Sequence, residues 1–203
     1  MPKQVDHDQR RESIAALVVD VIQSEGAENA TVRRISEQGG FSVGVITHYF
    51  RDKDELIASA FQWLAGQSFA ALETTLASTA PGLPRLRAAL EFMVPPTGER
   101  TFPAVWLSLW SGAMHNPRLA QVHRRYYARW RRMLAKSVQD AVSRREARLP
   151  ADLRDTIDLL AAGVDGLWIA ITFEGRRFSS VRRRKLVADL VAAILGVPRP
   201  RAA

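Results

Sequence analysis

Residues 31–53 read TVRRISEQGGFSVGVITHYFRDK and gather hydroxyls, arginines, a histidine, a tyrosine and a lysine around a glycine pair. These are the side chains that hold phosphates and donate to base edges in a duplex. A two-helix DNA reader needs a short supporting helix, a tight turn and a second helix thin enough to enter the major groove. Thr31 can cap the first helix and Ser42 the second, each hydroxyl accepting from a free amide. Gly39-Gly40 supplies the turn, Phe41 plugs the junction, and Val32 and Ile35 face a core. The second helix opens on small residues, Ser42, Val43 and Gly44, followed by Thr47, His48 and Tyr49. Glycine in a helix costs about 1 kcal/mol relative to alanine, a cost that suits a backbone approaching phosphate or base edges closely. Val45 and Ile46 divide between the core and a base methyl in an order the residues leave open. Lys53 stands at the next helix's N-terminus, where free amides and a cation both favour phosphate. On residue types alone, the same segment also fits an ordinary helical hairpin with Tyr49 and Phe50 inside.

Other chemistry is sparse. There is no cysteine, so disulfides and thiolate metal sites are excluded. His115 and His123 lie eight apart, off bonding distance on one helix face, and read as surface or capping residues, with no metal site expected. No GxSxG, phosphate-binding glycine loop, zinc spacing or paired carboxylate with a plausible base is found, and an enzyme is not expected. Trp106 and Trp110, at i and i+4, share one face and fit either a core or a ligand cavity.

The positioning elements are helical throughout. Ile14, Leu17, Val18, Val21 and Ile22 follow the i, i+3, i+4, i+7, i+8 template, and this helix ends near Glu25-Gly26 with glycine as a left-handed cap. A fourth helix, capped by Asp52 with Glu55 completing an Asp-x-x-Glu capping box, runs to about Ala77. After breaks at residues 80–84 and 95–98, helices are expected at Arg85–Val94, Phe102–Met114, Asn116–Arg148, Asp152–Phe173 and from Ser179 or Ser180 to about Leu195. That makes about nine helices and an all-α fold. Ile157, Leu160, Ala161, Val164, Leu167, Trp168 and Ile171 form one apolar stripe, and Leu186, Val187, Leu190, Val191 and Ile194 another. Two such helices from each of two chains make a four-helix bundle, with Ala161, Ala162, Gly163 and Gly166 permitting close approach. The stripes also fit closure of a monomer core.

The net charge of +8 is unevenly placed. Residues 1–56 are net −3, residues 115–148 net +8 and residues 176–203 net +7. The excess therefore falls outside the segment with DNA-reading chemistry and reads as solvated arginine-rich faces. No unbroken run of 18 apolar residues suggests a membrane span, and the polar start lacks the apolar stretch of a signal peptide, so a cytoplasmic protein is expected. The competing reading is a basic helical module binding RNA or anionic surfaces through Arg124-Arg125, Arg129, Arg131-Arg132 and Arg182 to Lys185.

Residues 10–57 resemble the TetR-family DNA-binding domain. The resemblance rests on Thr31-Val32-Arg33-Arg34-Ile35, Gly40-Phe41-Ser42-x-Gly44-x-Ile46 and His48-Tyr49-Phe50-x-Asp52-Lys53-Asp54-x-Leu56, with Phe41 where valine is usual. It implies a three-helix helix-turn-helix domain over residues 1–56, a helical ligand-binding and dimerisation domain over 57–197, and a disordered tail over 198–203. It also implies DNA contacts from Thr31, Val32, Arg33, Ser42, Val43, Gly44, Thr47, His48, Tyr49 and Lys53. Two copies of the reader would then meet a near-palindromic operator, and the dimer contacts fall on Ile157, Leu160, Ala161, Val164, Leu167, Leu186, Leu190 and Ile194. Phe102-x-x-x-Trp106-x-x-x-Trp110, followed by Asn116-Pro117-x-Leu119 and the tyrosine- and arginine-rich helix, is similar to the BetI-like subgroup. That implies a choline-like effector held by an aromatic cage of Trp106, Trp110, Trp168 and Phe173, with Glu91, Asp165 or Glu174 as counter-charge. A hydrophobic ligand or a polyamine is the alternative effector. No cofactor is implied.

Overall fold

The computed structural model describes residues 2–94, 101–150 and 152–198, with side chains at 7–94, 103–150 and 152–198. It contains α1 (Pro2–Glu25), α2 (Val32–Gly39), α3 (Val43–Tyr49), α4 (Lys53–Ala77), α5 (Leu83–Met93), α6 (Thr101–Ala113), α7 (Pro117–Ser143), α8 (Leu153–Glu174) and α9 (Ser180–Leu195). Two 3-10 turns, Ala27–Asn29 and Gly175–Arg177, complete it, and no strand occurs among the described residues.

Contacts group the chain into two compact units. One is Met1–Phe69 with Arg100–Tyr126; the other is Ala70–Glu99 with Tyr127–Ala203. Helices α4 and α7 each contribute to both. The first unit is built on Ile14, Val18, Val21 and Ile22 of α1, the stripe the sequence pattern marks. Ile35, Ile46, Phe50, Leu56 and Phe61 close on it from α2 to α4, and Val105, Leu109, Leu119 and Val122 from α6 and the start of α7. In the second unit Leu86 and Leu90 of α5, Trp130, Leu134 and Val138 of α7, Leu160 and Val164 of α8, and Val191 and Leu195 of α9 are buried. The expected tail begins at Pro198, which is exposed, and otherwise lies outside the described residues.

Local chemistry departs from the sequence reading at several ends. Gly26 takes φ 92° and ψ 158°, a glycine-only region, and not the left-handed cap expected. Helix α7 stops at Ser143, five residues before the expected Arg148. Arg145 adopts φ 60°, and Glu146 N donates to Ala141 O at 2.9 Å, so a non-glycine residue closes the helix. Glu146 then caps a distant helix start, accepting from Leu83 N at 2.7 Å. The segment Leu153–Arg177 contains an 18-residue window of mean hydropathy 1.5, long and apolar enough to cross a membrane by those criteria. Counting unbroken runs misses it because Asp158 and Asp165 interrupt the sequence. One stripe of this helix lines the interior of its unit, as a core helix does.

Candidate nucleic-acid interface

Helix α2 is short because both ends are chemically fixed. The Thr31 hydroxyl accepts from Arg34 N at 3.2 Å, and Gly40 ends the helix in the left-handed region at φ 65°. A Cβ on Gly39 would lie 2.6 Å from the Phe41 ring and 2.7 Å from a Leu17 methyl, so only bare backbone lets Phe41 close the turn. Ser42 opens α3, its hydroxyl accepting from Val45 N at 3.3 Å. Asp52 opens α4, accepting from Glu55 N at 2.7 Å. The Glu55 carboxylate does not complete the expected reciprocal box: it accepts from Arg51 N at 3.0 Å, one residue earlier.

Ile46 and Phe50 are fully buried and pin α3 to the α1 core. This resolves the open order: Ile46 is core, and Val45 is half-buried at the rim. The opposite face presents Val43 (49% exposed), Gly44, Thr47 and His48 to solvent. These four lie on one side of the helix, since i, i+4 and i+1, i+5 positions align. Arg33, Ser42 and Thr31 are also exposed, with Arg33 Nε 3.0 Å from Glu37. Lys53 is exposed and reaches Glu28 O at 3.4 Å. Val32 differs from the rest, being partly buried against the core. Tyr49 is half-buried at the edge, its ring centroid 4.5 Å from His7 and 5.2 Å from His48.

An open groove of about 610 Å3 is lined by Arg10, Phe41, Ser42, Gly44, Val45, His48 and Tyr49. The sequence reading missed the α1 residues here. Arg10 lies 5.5 Å over the Phe41 ring, His7 packs on Tyr49, and Arg11 donates to the Tyr49 carbonyl while lying 4.6 Å over Phe50. The signal was present: His7, Arg10 and Arg11 continue the stripe of Ile14, Leu17 and Val18 by one and two turns.

Charge is also arranged differently from the segment tally. Residues 100–126 fold into the first unit carrying four basic and no acidic residues, which raises residues 1–69, net −3, to +1. Arg118 from this stretch holds Asp52 at 2.6 and 2.8 Å, lowering its carboxyl below the usual range, with Glu55 N assisting. Arg34 does the same for Glu25, and the Arg51 backbone amide for Glu55. Asp52, Glu25 and Glu55 beside the reader thus have cationic or amide partners in place.

Residues 17–60 match the model of bacterial regulatory proteins of the tetR family, and residues 83–196 match that of the BetI-type transcriptional repressor, C-terminal domain. The chain belongs to the TetR family. An HTH-type transcriptional regulator BetI from Stenotrophomonas maltophilia is 30% identical over 189 residues, covering 92% of this chain and 93% of its own. The Escherichia coli K12 regulator of that name is 28% identical over 197 residues, covering 94% and 96%. Among solved structures, a putative transcriptional regulator from Saccharomonospora viridis in complex with choline has a TM-score of 0.81 at 22% identity, covering 93% of this chain and 98% of that one. The regulator FadR from Bacillus subtilis in complex with stearoyl-CoA has a TM-score of 0.74 at 20% identity, covering 91% and 98%. The protein is therefore a TetR-family DNA-binding transcriptional regulator with a BetI-type C-terminal domain, in a family of regulators and not of enzymes.

In this TetR-family regulator the residues expected to cage an effector are contributed by both units. Trp106 and Trp110 are half-buried in the first unit, Trp106 against its core. Trp168, Asp165, Glu91 and Phe173 belong to the second. Phe173 is 69% exposed, so it stands outside any cage. Burial raises the Glu91 pKa, an effect that Arg184, Arg87 and Arg183 offset in part. Glu174 is exposed and paired with Arg177 at 2.5 Å. Asp165 accepts from the Tyr127 hydroxyl, and burial together with this carboxylate pushes the phenol pKa far up. The expected dimer set also needs correction. Ile157, Leu160, Ala161 and Val164 are 0–4% exposed inside their own subunit and present nothing to a partner. Leu167, Leu186, Leu190 and Ile194 are half-exposed. The outward apolar stripe of α8 is instead Leu159 (57%), Ala162, Gly166, Ile169 (42%) and Phe173. Helix α8 is apolar on both faces, and the sequence pattern does not say which of them the subunit spends inside.

Proposed function

We propose that this regulator binds a near-palindromic operator as a homodimer and releases it when a small-molecule effector binds. The observation that carries this is α3: Ile46 and Phe50 anchor one face, while Val43, Gly44, Thr47 and His48 stand outward at the width of a major groove. Arg33 and the α3 face read base edges; Thr31, Tyr49 and Lys53 hold phosphates and set the register. One such helix contacts too few bases for selectivity, so two copies on half-sites about one helical turn apart are required.

The dimer seam is the α8 stripe Leu159, Ala162, Gly166, Ile169 and Phe173, at i, i+3, i+7, i+10, i+14, with the half-exposed Leu186, Leu190 and Ile194 of α9 beside it. Small residues at its centre admit close helix approach. Exposed apolar residues in such a row on a soluble subunit mark an association surface. The basic segments have partners within the subunit: Arg129 with Glu73, Arg131 with Asp158, and Lys185 with Asp189. That supports a solvated-face role for these three side chains.

For the effector, the second unit offers Asp165, Trp168 three residues on, and Tyr127, whose ring Arg131 faces at 5.0 Å. A half-buried carboxylate with aromatic faces suits an organic cation, and the choline complex of the Saccharomonospora relative supports that class. Choline titrated against the protein–operator complex is expected to release DNA, and Asp165→Asn to weaken that response tenfold or more, with operator affinity in buffer unchanged, order-of-magnitude for one charge–charge contact. Equal choline sensitivity in the two proteins would refute this assignment.

A further inference from the structure

We propose that the DNA-reading unit carries a second effector site, for a compact polyanion, and that filling it opposes operator binding. The site is a groove of about 300 Å3 whose lining includes Arg11, Arg51, Glu55, Gln62, Arg118 and Arg125. That volume takes a ligand the size of pyrophosphate or a small polycarboxylate. Guanidiniums converge on it from α1, from the turn between α3 and α4, and from α7. Three carboxylates answer the four arginines, Asp54 acting on Arg118 together with Asp52 and Glu55. Glu55 binds Arg51 Nε at 3.0 Å and Arg11 Nη2 at 3.5 Å, and Asp52 binds Arg118. One net cationic charge is left over, Arg125 has no carboxylate among the groove's lining residues but Glu55, and the arginine fork fits phosphate and carboxylate oxygens in pairs. Ser59 and Gln121 add neutral hydrogen-bonding groups, whereas Ala58 and Val122 supply the only apolar side chains. A hydrophobic ligand therefore buries little here, and a cation meets an unfavourable field.

Two of these arginines also hold the reader. Arg11 donates to the Tyr49 carbonyl at the end of α3, and Arg118 holds Asp52, the cap of α4. A dianion in the groove competes with both acceptors and outweighs a neutral carbonyl, so Arg11 turns from Tyr49 to the ligand. A ligand that favours this released arrangement shifts the protein away from the DNA-competent one, and operator DNA weakens the ligand by the same factor. This second step rests on α3 being the reading helix.

The test uses the full chain and pyrophosphate, in buffer without divalent cations and at constant ionic strength. Calorimetric titration without DNA is expected to show saturable binding, one per chain. Arg125→Gln and Gln121→Glu, both at exposed positions, are expected to weaken it about tenfold or more while leaving the unfolding temperature and the basal operator affinity unchanged. Pyrophosphate is expected to lower operator affinity of the wild type at least fivefold, and not that of the two variants. Heat that never saturates, or equal binding by the variants, overturns the site. Saturable binding with unchanged operator affinity overturns the opposition to DNA. Operator affinity in buffer alone, from the same series, reports on the reading helix independently of the groove.

Discussion

Gly44→Ala separates the stability of α3 from its use. Gly44 lies in the first turn of α3, and a Cβ built there meets only the Ser42 Oγ at 3.8 Å, ordinary van der Waals contact. Its backbone is helical, so alanine enters without strain, and the loss of chain freedom in the unfolded state stabilises the domain by about 0.4–1 kcal/mol. If the α3 face enters the major groove, the added methyl meets base edges or sugar at close range. Overpacking a tight contact costs about 1–3 kcal/mol. Operator affinity is then expected to fall about 5- to 150-fold while the unfolding temperature stays level or rises. Urea unfolding without DNA gives the first quantity, and fluorescence anisotropy with labelled operator at fixed salt gives the second. Affinity that holds steady or rises along with stability would mean that Gly44 faces solvent in the complex, and the argument for this face would fail.

The remaining predictions are simpler. Tyr49→Phe keeps the ring contacts with His7 and His48 and removes one phosphate donor, so affinity for all duplexes falls by about 0.5–1.5 kcal/mol with base preference unchanged; Arg33→Ala is expected to relax preference as well, as a panel of operator variants would reveal. Ile169→Glu puts a charge on the exposed α8 stripe, and sedimentation is expected to show folded monomers with weak operator binding. Leu160→Ala, fully buried, is expected instead to lose about 2–5 kcal/mol of stability without changing the assembly that does fold. Asp52, Glu55 and Glu25 all have depressed folded-state pKa values, so their contributions are full above their ordinary values of 3.8 to 4.5 and vanish as pH falls through the folded values. The share of thermal stability due to these three carboxylates is expected to be flat from neutrality to about pH 4.5 and to fall below it, with Arg118→Gln removing the Asp52 part of that acid limb.

The reader was legible because its chemistry is local. Thr31, Ser42 and Asp52 cap the helices that follow them, Gly40 stops α2, and the core stripe of α1 has the helical period. What escaped depends on distant partners. Arg118 neutralises Asp52 across 66 positions, and Glu146 caps α5 across 63, relations that spacing does not encode. The two apolar faces of α8 could not be told apart for another reason. Leu160 and Leu159 are equally apolar neighbours on opposite faces, and only packing decides which is spent inside the subunit. Glu91 has the right charge to attract a cation, but the fold half-buries it and brings three arginines near, which spacing does not encode either.

Hydroxyl-radical footprinting on an operator fragment, with protein stoichiometry measured in the same complex, bears most directly on two-fold reading by α3. The expected pattern is two protected stretches about one helical turn apart, related by a dyad, with an even number of chains per operator and the pattern lost in Ile169→Glu. A single chain protecting one undivided stretch, unaffected by that substitution, would contradict it.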